Sequence, residues 1–266
     1  MLALGLLLVL PGTARAEGAV ARDAASLDRF DTVVIDAGHG GEDEGARGGN
    51  GLLEKNLVLD VARGLAVRLR SAGLRVLMTR ERDVFVPLEE RTHIANDAHA
   101  DLFISIHANA AHDGGARGSE TYFMSLEASD DHARGVAARE NESFAARPGA
   151  SAANADPLVA ILGDLIANEH LTESSEFARA AQLRLASLDT GPSRGVKQAP
   201  FVVLAGVQMP AALVEIGFLT HPAEERDLGS ARRRAAIAAG LAQAVLEHGR
   251  RHDAQHGVVP AAGVDR

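Results

Sequence analysis

The stretch TVVIDAGHGG, residues 32–41, sets the fold class of this 266-residue chain. It begins with a β-branched run from Thr32 to Ile35 and ends in a glycine-rich turn that carries His39. A short apolar run bounded by glycine predicts a buried strand followed by a loop. His39 therefore stands just past the carboxyl end of a strand, which is where open α/β sheets gather their ligands.

Further strands and helices alternate along the chain after this stretch. Asn56–Ala72 has apolar residues at four-residue spacing and a glycine stop signal, which predicts a helix. Leu88–His99 and Ala231–Arg250 have the pattern of two more amphipathic helices. The other predicted strands are residues 75–79, 102–106, 120–124, 201–204 and 212–216. The alternation predicts an α/β fold, with a mostly open, twisted sheet flanked by helices in a single three-layer domain.

The composition excludes several kinds of site and partner. The chain has no cysteine, so any metal must be held by His, Asp or Glu, and disulfides and cysteine nucleophiles are excluded. Its formal net charge is −9 and it has no cluster of Lys and Arg, so we expect no nucleic-acid partner. Beyond the first residues, no stretch approaches the roughly 20 apolar residues of a membrane span, so we expect none in the mature form.

The two ends of the chain depart from the strand and helix pattern. Residues 1–16 resemble a secretory signal peptide, with an apolar run and a small-x-small triplet but no basic segment before them. A buried or frayed N-terminal helix is the alternative. We expect a short linker over 17–30, a catalytic domain over 31–251 and a disordered tail over 252–266. The leader predicts export, to the periplasm or the cell wall.

An insertion over residues of about 126–173 interrupts the domain with charged, alanine-rich sequence. We predict an apolar helix from Pro157 near its end. An insertion of this length in a compact domain is usually functional or mobile.

Four side chains form the candidate site. His39 and His107 each follow or end a predicted strand, and Glu215 lies in the last one. Glu54 starts the first long helix, after a glycine-rich loop that can fold back towards His39. Two imidazoles and a carboxylate make a zinc site with a vacant position, where a water is held and its pKa is lowered. Glu215 is then the candidate general base.

Each of these residues, taken alone, has a simpler interpretation. A histidine after a strand is more often a hydrogen-bonded loop residue than a ligand. Glu54 alone is typical of the first turn of a helix, where the helix dipole favours a carboxylate. Glu215 alone is a possible ion-pair partner for Arg80 or Arg91. Only their joint appearance favours the metal site.

The motifs around these residues resemble, in order, those of the zinc-dependent N-acetylmuramoyl-L-alanine amidase family, from about Thr32 to Gly249. They are Asp36-Ala37-Gly38-His39-Gly40-Gly41, Glu54-Lys55-Asn56, Thr79-Arg80 with Arg91 and Ala95-Asn96, Ser105-Ile106-His107-Ala108-Asn109, and Val214-Glu215-Ile216-Gly217-Phe218. Two positions differ from the family, Ala37 in place of proline and Thr220-His221-Pro222 in place of Ser-Asn-Pro.

The resemblance implies hydrolysis of the amide that joins N-acetylmuramic acid to L-alanine in peptidoglycan, in cell-wall remodelling or daughter-cell separation. It assigns the Zn²⁺ ligands to His39, Glu54 and His107 and the catalytic carboxylate to Glu215. The insertion resembles a helix that blocks the active site in the daughter-cell-separation members. We therefore hypothesise that Glu140, or else Glu142, occupies the fourth zinc position until an activator protein displaces the helix. A solvated charged helix is the alternative.

Three other functions compete with this interpretation. A zinc peptidase or deacylase of another substrate class would use the same set of side chains. A wall-binding protein that lost its activity would keep the fold, but the presence of all four residues disfavours it. A phosphoesterase would more often show clustered aspartates for two metals, and the sequence has no such cluster.

Overall fold

A computed structural model describes residues 29–111, 114–142, 170–189, 191 and 193–258 of the chain. The predicted signal peptide, nearly all of the predicted linker and the helix predicted from Pro157 lie outside these residues, as does the end of the tail.

A six-stranded sheet forms the centre of the described part of the chain. Its strands run in the spatial order β2-β1-β3-β6-β4-β5, and every neighbouring pair is parallel except β4 with β6. The strands are β1 (Thr32–Ala37), β2 (Arg75–Met78), β3 (Leu102–Asn109), β4 (Glu120–Met124), β5 (Val196–Ala199) and β6 (Ala211–Phe218). All residues of β1, β3 and β6 are buried, which fits central strands covered on both faces.

Helices cover both faces of this sheet. They are α1 (Glu54–Ser71), α2 (Leu88–Asp97), α3 (Asp131–Glu140), α4 (Leu171–Ala186), α5 (Pro222–Leu228) and α6 (Ala231–Gln255). Apolar residues of α1, α4 and α6 share one core cluster with the sheet, and those of α2 and α3 share a second one on the other face. The α/β fold with three layers is thus confirmed. In the described residues, no helix is long and apolar enough to cross a membrane.

One predicted strand is wrong, and one strand of the sheet was not predicted. The run 201–204 is not a strand but contains a 3-10 turn, Val202–Leu204, whose side chains are buried beside α2. The fifth strand is instead Val196–Ala199, a short edge strand with a half-polar sequence. A short apolar run does not distinguish a strand from another buried segment, and a polar edge strand has little periodicity to find.

The last helix also continues further than predicted. It extends to Gln255, so the first residues of the predicted tail are helical. The backbone N–H of Phe30 donates to Asp253 Oδ1 at 2.8 Å, and the Phe30 ring packs on His248 and His252. These contacts fasten the last turns of α6 beside the segment that enters β1.

Candidate metal centre

Three parallel strands bring the predicted site residues to one edge of the sheet. His39 lies two residues after the end of β1, His107 lies in the last part of β3, and Glu215 lies in β6. His107 and Glu215 are register partners on adjacent strands. Because β1, β3 and β6 run in parallel, their carboxyl ends meet at the same edge, as expected for a ligand site in such a sheet.

Two glycines make room for the site at the loops. A Cβ on Gly38 would lie 2.3 Å from the His107 ring, and one on Gly45 would lie 2.6 Å from both Glu54 Oε2 and the His39 ring. Gly45 also has a φ of +65°, which few side chains tolerate. His39 itself has a φ of 57°, a strained value of the kind found at functional sites.

Four side chains converge on one point at this edge. Glu54 Oε1 lies 3.1 Å from both His39 Nε2 and His107 Nδ1. Glu140 Oε2, at the end of α3, lies 3.2 Å from His39 Nε2 and 2.8 Å from His107 Nδ1. One ligand atom from each residue lies within 4.8 Å of all the others, so the group can hold a metal ion.

The charges of this group are those of a site that binds a cation. Burial opposes protonation of His107, but the carboxylates of Glu140 and Glu54 outweigh it and raise its pKa to about 10. The pKa of His39 is raised well above its ordinary value in the same way, chiefly by Glu54. Burial raises the pKa of Glu140, yet His107 and His39 lower it to about 2. Protons on the two imidazoles thus offset the negative charge of the carboxylates, a role that a bound metal ion would take over.

Further groups orient the ligand atoms. Glu54 accepts hydrogen bonds from Ala108 N at 2.9 Å and from Ala46 N at 2.7 Å. His39 Nδ1 lies 2.9 Å from Asp43 Oδ1. A carboxylate on the outer nitrogen of a histidine fixes its tautomer and turns its other nitrogen towards a metal. The sequence interpretation missed Asp43, although its place four residues after His39 is a usable signal.

A buried ion pair supports the loop that carries His39. Asp36 accepts from Arg91 at 2.7 Å and from the hydroxyls of Thr79 and Ser105 at 2.6 Å. Burial alone would raise the pKa of Asp36, but Arg91 and the two hydroxyls lower it. Arg80 donates instead to main-chain carbonyls of this region. The two arginines are therefore engaged elsewhere, which excludes the interpretation of Glu215 as their ion-pair partner.

Glu215 is fully buried, and neither of its carboxylate oxygens has a hydrogen-bond partner in the described structure. Burial raises its pKa well above the ordinary value, and the nearby charge of Glu140 raises it further. An unpaired buried carboxylate is costly unless it has a chemical role. A buried carboxyl group with a raised pKa is a candidate for proton transfer.

The helix α3 lies inside the predicted insertion and carries Glu140 to the ligand group. Asp130 caps its start by accepting from Ala133 N at 2.7 Å. At its other end, Asn141 donates to Pro200 O at 2.8 Å and accepts from Val202 N at 2.9 Å. Glu142, the other candidate for the fourth position, is exposed and lies outside the group of ligand atoms.

An open cleft of about 1080 Å³ borders three of the four ligands, His39, Glu54 and Glu140. The loop that carries Asp43 forms one wall, Phe85 lies on another, and the end of α3 closes the third. Phe85 is 46% exposed, which is unusual for so large an apolar side chain in this chain. The cleft is large enough to admit part of a polymeric substrate beside the metal ligands.

Comparisons with known proteins agree with this geometry. The sequence profile of a family described as N-acetylmuramoyl-L-alanine amidase matches residues 33–247. The chain is 37% identical over 218 residues to N-acetylmuramoyl-L-alanine amidase AmiA of Escherichia coli (strain K12), covering 81% of this chain and 75% of that protein. It is 35% identical to N-acetylmuramoyl-L-alanine amidase AmiC of Neisseria meningitidis serogroup B, covering 83% of this chain and 53% of that protein.

Solved structures give the same result. The structure of N-acetylmuramoyl-L-alanine amidase from Clostridium difficile 630 superposes with a TM-score of 0.61 at 29% identity, over 83% of this chain and 96% of that one. That of amidase AmiC2 of Nostoc punctiforme superposes with a TM-score of 0.58 at 27% identity, over 84% and 98%.

Proposed function

Since the chain belongs to the N-acetylmuramoyl-L-alanine amidase family, we propose that it uses zinc to hydrolyse the amide bond between N-acetylmuramic acid and L-alanine in peptidoglycan. The family establishes the enzyme class and the wall polymer as substrate. The metal, the roles of the individual residues and the export to the periplasm or cell wall belong to the proposal.

The ligand group fits a zinc ion by its chemistry and its geometry. Two imidazole nitrogens and a carboxylate oxygen, from His39, His107 and Glu54, are the ligand types that catalytic zinc sites use. The chain has no cysteine that would offer a thiolate site instead. His39 Nε2 and Glu140 Oε2 are buried without a hydrogen bond in the described residues, as expected for atoms that face a cation. When bound, the zinc ion would lower the pKa of a coordinated water and polarise the amide carbonyl.

Glu215 supplies the proton transfers in this proposal. Its carboxylate, unpaired and next to His107 in the sheet, takes a proton from the attacking water. It then delivers that proton to the nitrogen of L-alanine as the amide bond breaks, so that the free stem peptide leaves with an amine. The deep burial of Glu215 keeps bulk water away from the proton while it is held.

The helix α3 holds the enzyme off in this proposal. Glu140 is as close to both histidines as Glu54 is, so it occupies the fourth ligand position that the attacking water needs. Activation then requires a partner that moves the end of α3 away from the ligand group. Such control would suit an enzyme that acts in daughter-cell separation, where uncontrolled cleavage of the wall would be harmful.

One observation carries the proposal: four ligand atoms and an unpaired buried carboxylate meet at the carboxyl ends of three parallel strands. The test is digestion of purified peptidoglycan, with zinc and with a chelator, by Glu140→Ala protein, in which the fourth ligand position is open. The digestion is repeated after adding Glu215→Gln, and after adding a control change, Glu247→Gln, on the distant helix α6. We expect free stem peptides that begin with L-alanine, detected by mass spectrometry, from the Glu140→Ala protein and its control only. Their persistence after chelation or in Glu215→Gln would refute the mechanism, and cleavage at another bond would refute the substrate.

A further inference from the structure

A second cavity, of about 740 Å³, adjoins the cleft at the metal centre. Ala110 and Arg139 line both cavities, so the two meet at these residues. The other lining side chains include His132 and Arg194, and the rest of the described lining is alanine and glycine. Every charged side chain recorded on the wall of this cavity is therefore basic.

Acids near the cavity balance two of its basic neighbours. Buried Glu120 accepts from Arg194 Nε and lies near His132 Nε2, both at 2.7 Å, and it lies 3.2 Å from Lys197 Nζ. Asp130 also contacts Lys197, at 3.1 Å, so the charges of Arg194 and Lys197 are matched by those of Glu120 and Asp130.

Arg139 adds a further positive charge. It donates to the neutral amide oxygen of Asn109 at 2.5 Å, so this contact leaves its charge uncompensated. An excess of positive charge in a chain whose net charge is −9 indicates a place for an anionic group.

We propose that this cavity binds a free carboxylate of the stem peptide, one residue beyond L-alanine, and that Arg194 is the residue that recognises it. The inference rests on the proposed function, because the substrate places its scissile amide at the metal centre. An extended peptide advances about 3.5 Å per residue, so a carboxylate on the second residue lies within reach of the adjoining cavity.

The surroundings of Arg194 suit this task. Its guanidinium carbon lies 4.9 Å from the centre of the Phe218 ring, its Nε donates to Glu120, and its Nη2 lies 3.2 Å from His132 Nε2 on α3. Its plane is therefore fixed before a ligand arrives. One quarter of the side chain is exposed at the cavity. A fixed guanidinium is the side chain best suited to hold a carboxylate through two parallel hydrogen bonds.

Arg194 also differs from the other two basic residues in its position in the fold. His132 and Arg139 belong to α3, which moves away in the proposed activated state. Arg194 precedes β5 and stays with the sheet, and Phe218 is the last residue of β6. The recognition site therefore remains beside the metal centre when the helix is displaced.

The test measures binding and does not depend on turnover. The ligands are the synthetic tripeptide L-Ala-γ-D-Glu-L-Lys and the same peptide with the α-carboxylate of glutamate amidated, titrated by calorimetry into zinc-loaded Glu140→Ala protein. We expect the acid to bind about tenfold more tightly than the amide, the size of one charge-assisted hydrogen-bond pair. Equal affinities, or no binding of either peptide, would overturn the proposal.

Substitutions then assign the preference to Arg194. Arg194→Met alone would leave the buried Glu120 poorly paired and destabilise the fold, so the main variant is the double change Glu120→Gln with Arg194→Met. We expect this variant to lose the preference for the acid, and the control Arg251→Met in α6 to keep it. A preference that survives the double change, in protein with an unchanged circular dichroism spectrum, would remove Arg194 from the role.

Digestion of peptidoglycan by the same proteins distinguishes a failure of the proposed function from a failure of the carboxylate site alone. If the zinc-loaded Glu140→Ala protein cleaves no peptidoglycan, the proposed function fails. If it cleaves and the tripeptide affinities are equal, only the carboxylate site fails. On acid-form substrate, we expect the double variant to raise KM with little change in kcat, because it removes binding and not chemistry.

Discussion

His107 and Glu215 are register partners on β3 and β6, which places a ligand of the candidate metal centre beside the candidate base. Their Cα atoms are held by the hydrogen bonds of two parallel strands that are buried along their whole length. Their relative position therefore depends on the sheet itself, whereas Glu54 and Glu140 come from helices. We therefore expect substitutions at the helix positions to have other effects on the site than substitutions in the sheet.

Removal of the Glu140 carboxylate should activate the enzyme. In Glu140→Ala, the fourth ligand position is open, so we expect basal release of stem peptides from purified peptidoglycan to rise at least tenfold. Glu142→Ala is the matched control, because that side chain is exposed and outside the ligand group, and it should behave as the unaltered protein. Basal activity that is unchanged in Glu140→Ala would show that α3 does not restrain the site.

Asp43 should affect metal affinity without touching the metal. Its carboxylate lies 2.9 Å from His39 Nδ1, and loss of such a partner typically weakens metal binding by about 10- to 100-fold. We expect Asp43→Ala to lower zinc affinity by this factor in competition with a fluorescent chelator. Glu44→Ala changes the neighbouring, half-exposed acid and should leave the affinity as it is. Equal affinities for the two variants would contradict the orienting role.

Gly45 should be essential to the site, because a methyl group there would collide with Glu54 and His39. We expect Gly45→Ala to lose stoichiometric zinc binding while its far-ultraviolet circular dichroism spectrum remains folded. Gly51→Ala is the control, since Gly51 also has a positive φ, of +91°, but its Cβ would meet nothing within 4 Å. That change should cost only about 1 kcal/mol of stability from backbone strain. Normal zinc binding by Gly45→Ala would refute the crowding argument.

His248 should make the fold sensitive to mild acid. Burial between Phe30 and Phe177 lowers its pKa to about 4, below its ordinary value of 6.5. Between pH 6.5 and 4, His248 is therefore protonated in the unfolded chain but not in the folded chain. The free energy of unfolding is at its full value above pH 6.5 and falls as the pH drops towards 4. The loss is at most about 3 kcal/mol.

Urea unfolding between pH 7.5 and 4.5 measures this effect. We expect His248→Leu to have a shallower fall in unfolding free energy over this range than the unaltered protein. His93→Leu, which changes an exposed histidine of α2, should keep the full slope. An identical slope in His248→Leu would assign the acid sensitivity to other groups.

The sequence predicted the elements that bear the site better than those at the edge of the sheet. His39 and His107 follow or end strongly apolar strands, and buried strands of this kind are recognisable from composition alone. The spatial order of the strands could not be predicted from the sequence, because it depends on contacts between segments that are distant along the chain. β5 was missed for the same reason, since its half-polar residues are held in place by pairing with β4.

The residues around the metal ligands show what sequence reasoning lacks. Asp43 and Glu120 lie outside the motifs that identified the site, and their partners are known only from the structure. Glu120 did have a signal, because a carboxylate in a strand that is otherwise apolar is expensive to bury, which is the argument that identified Glu215. Applied to every predicted strand, that argument would have found both residues of the antiparallel pair Glu120 and Glu215.

The contact between Phe30 and Asp253 has a practical consequence. It joins the entrance of β1 to the last turns of α6, and six residues of β1, about 20 Å of strand, separate this place from the edge that holds His39. A circular permutant that links the chain near these two residues, or a fluorescent reporter attached at either, would leave the cleft unobstructed. A label at the Phe30–Asp253 end would thus make it possible to follow the enzyme in living cells without disturbing the edge that holds His39.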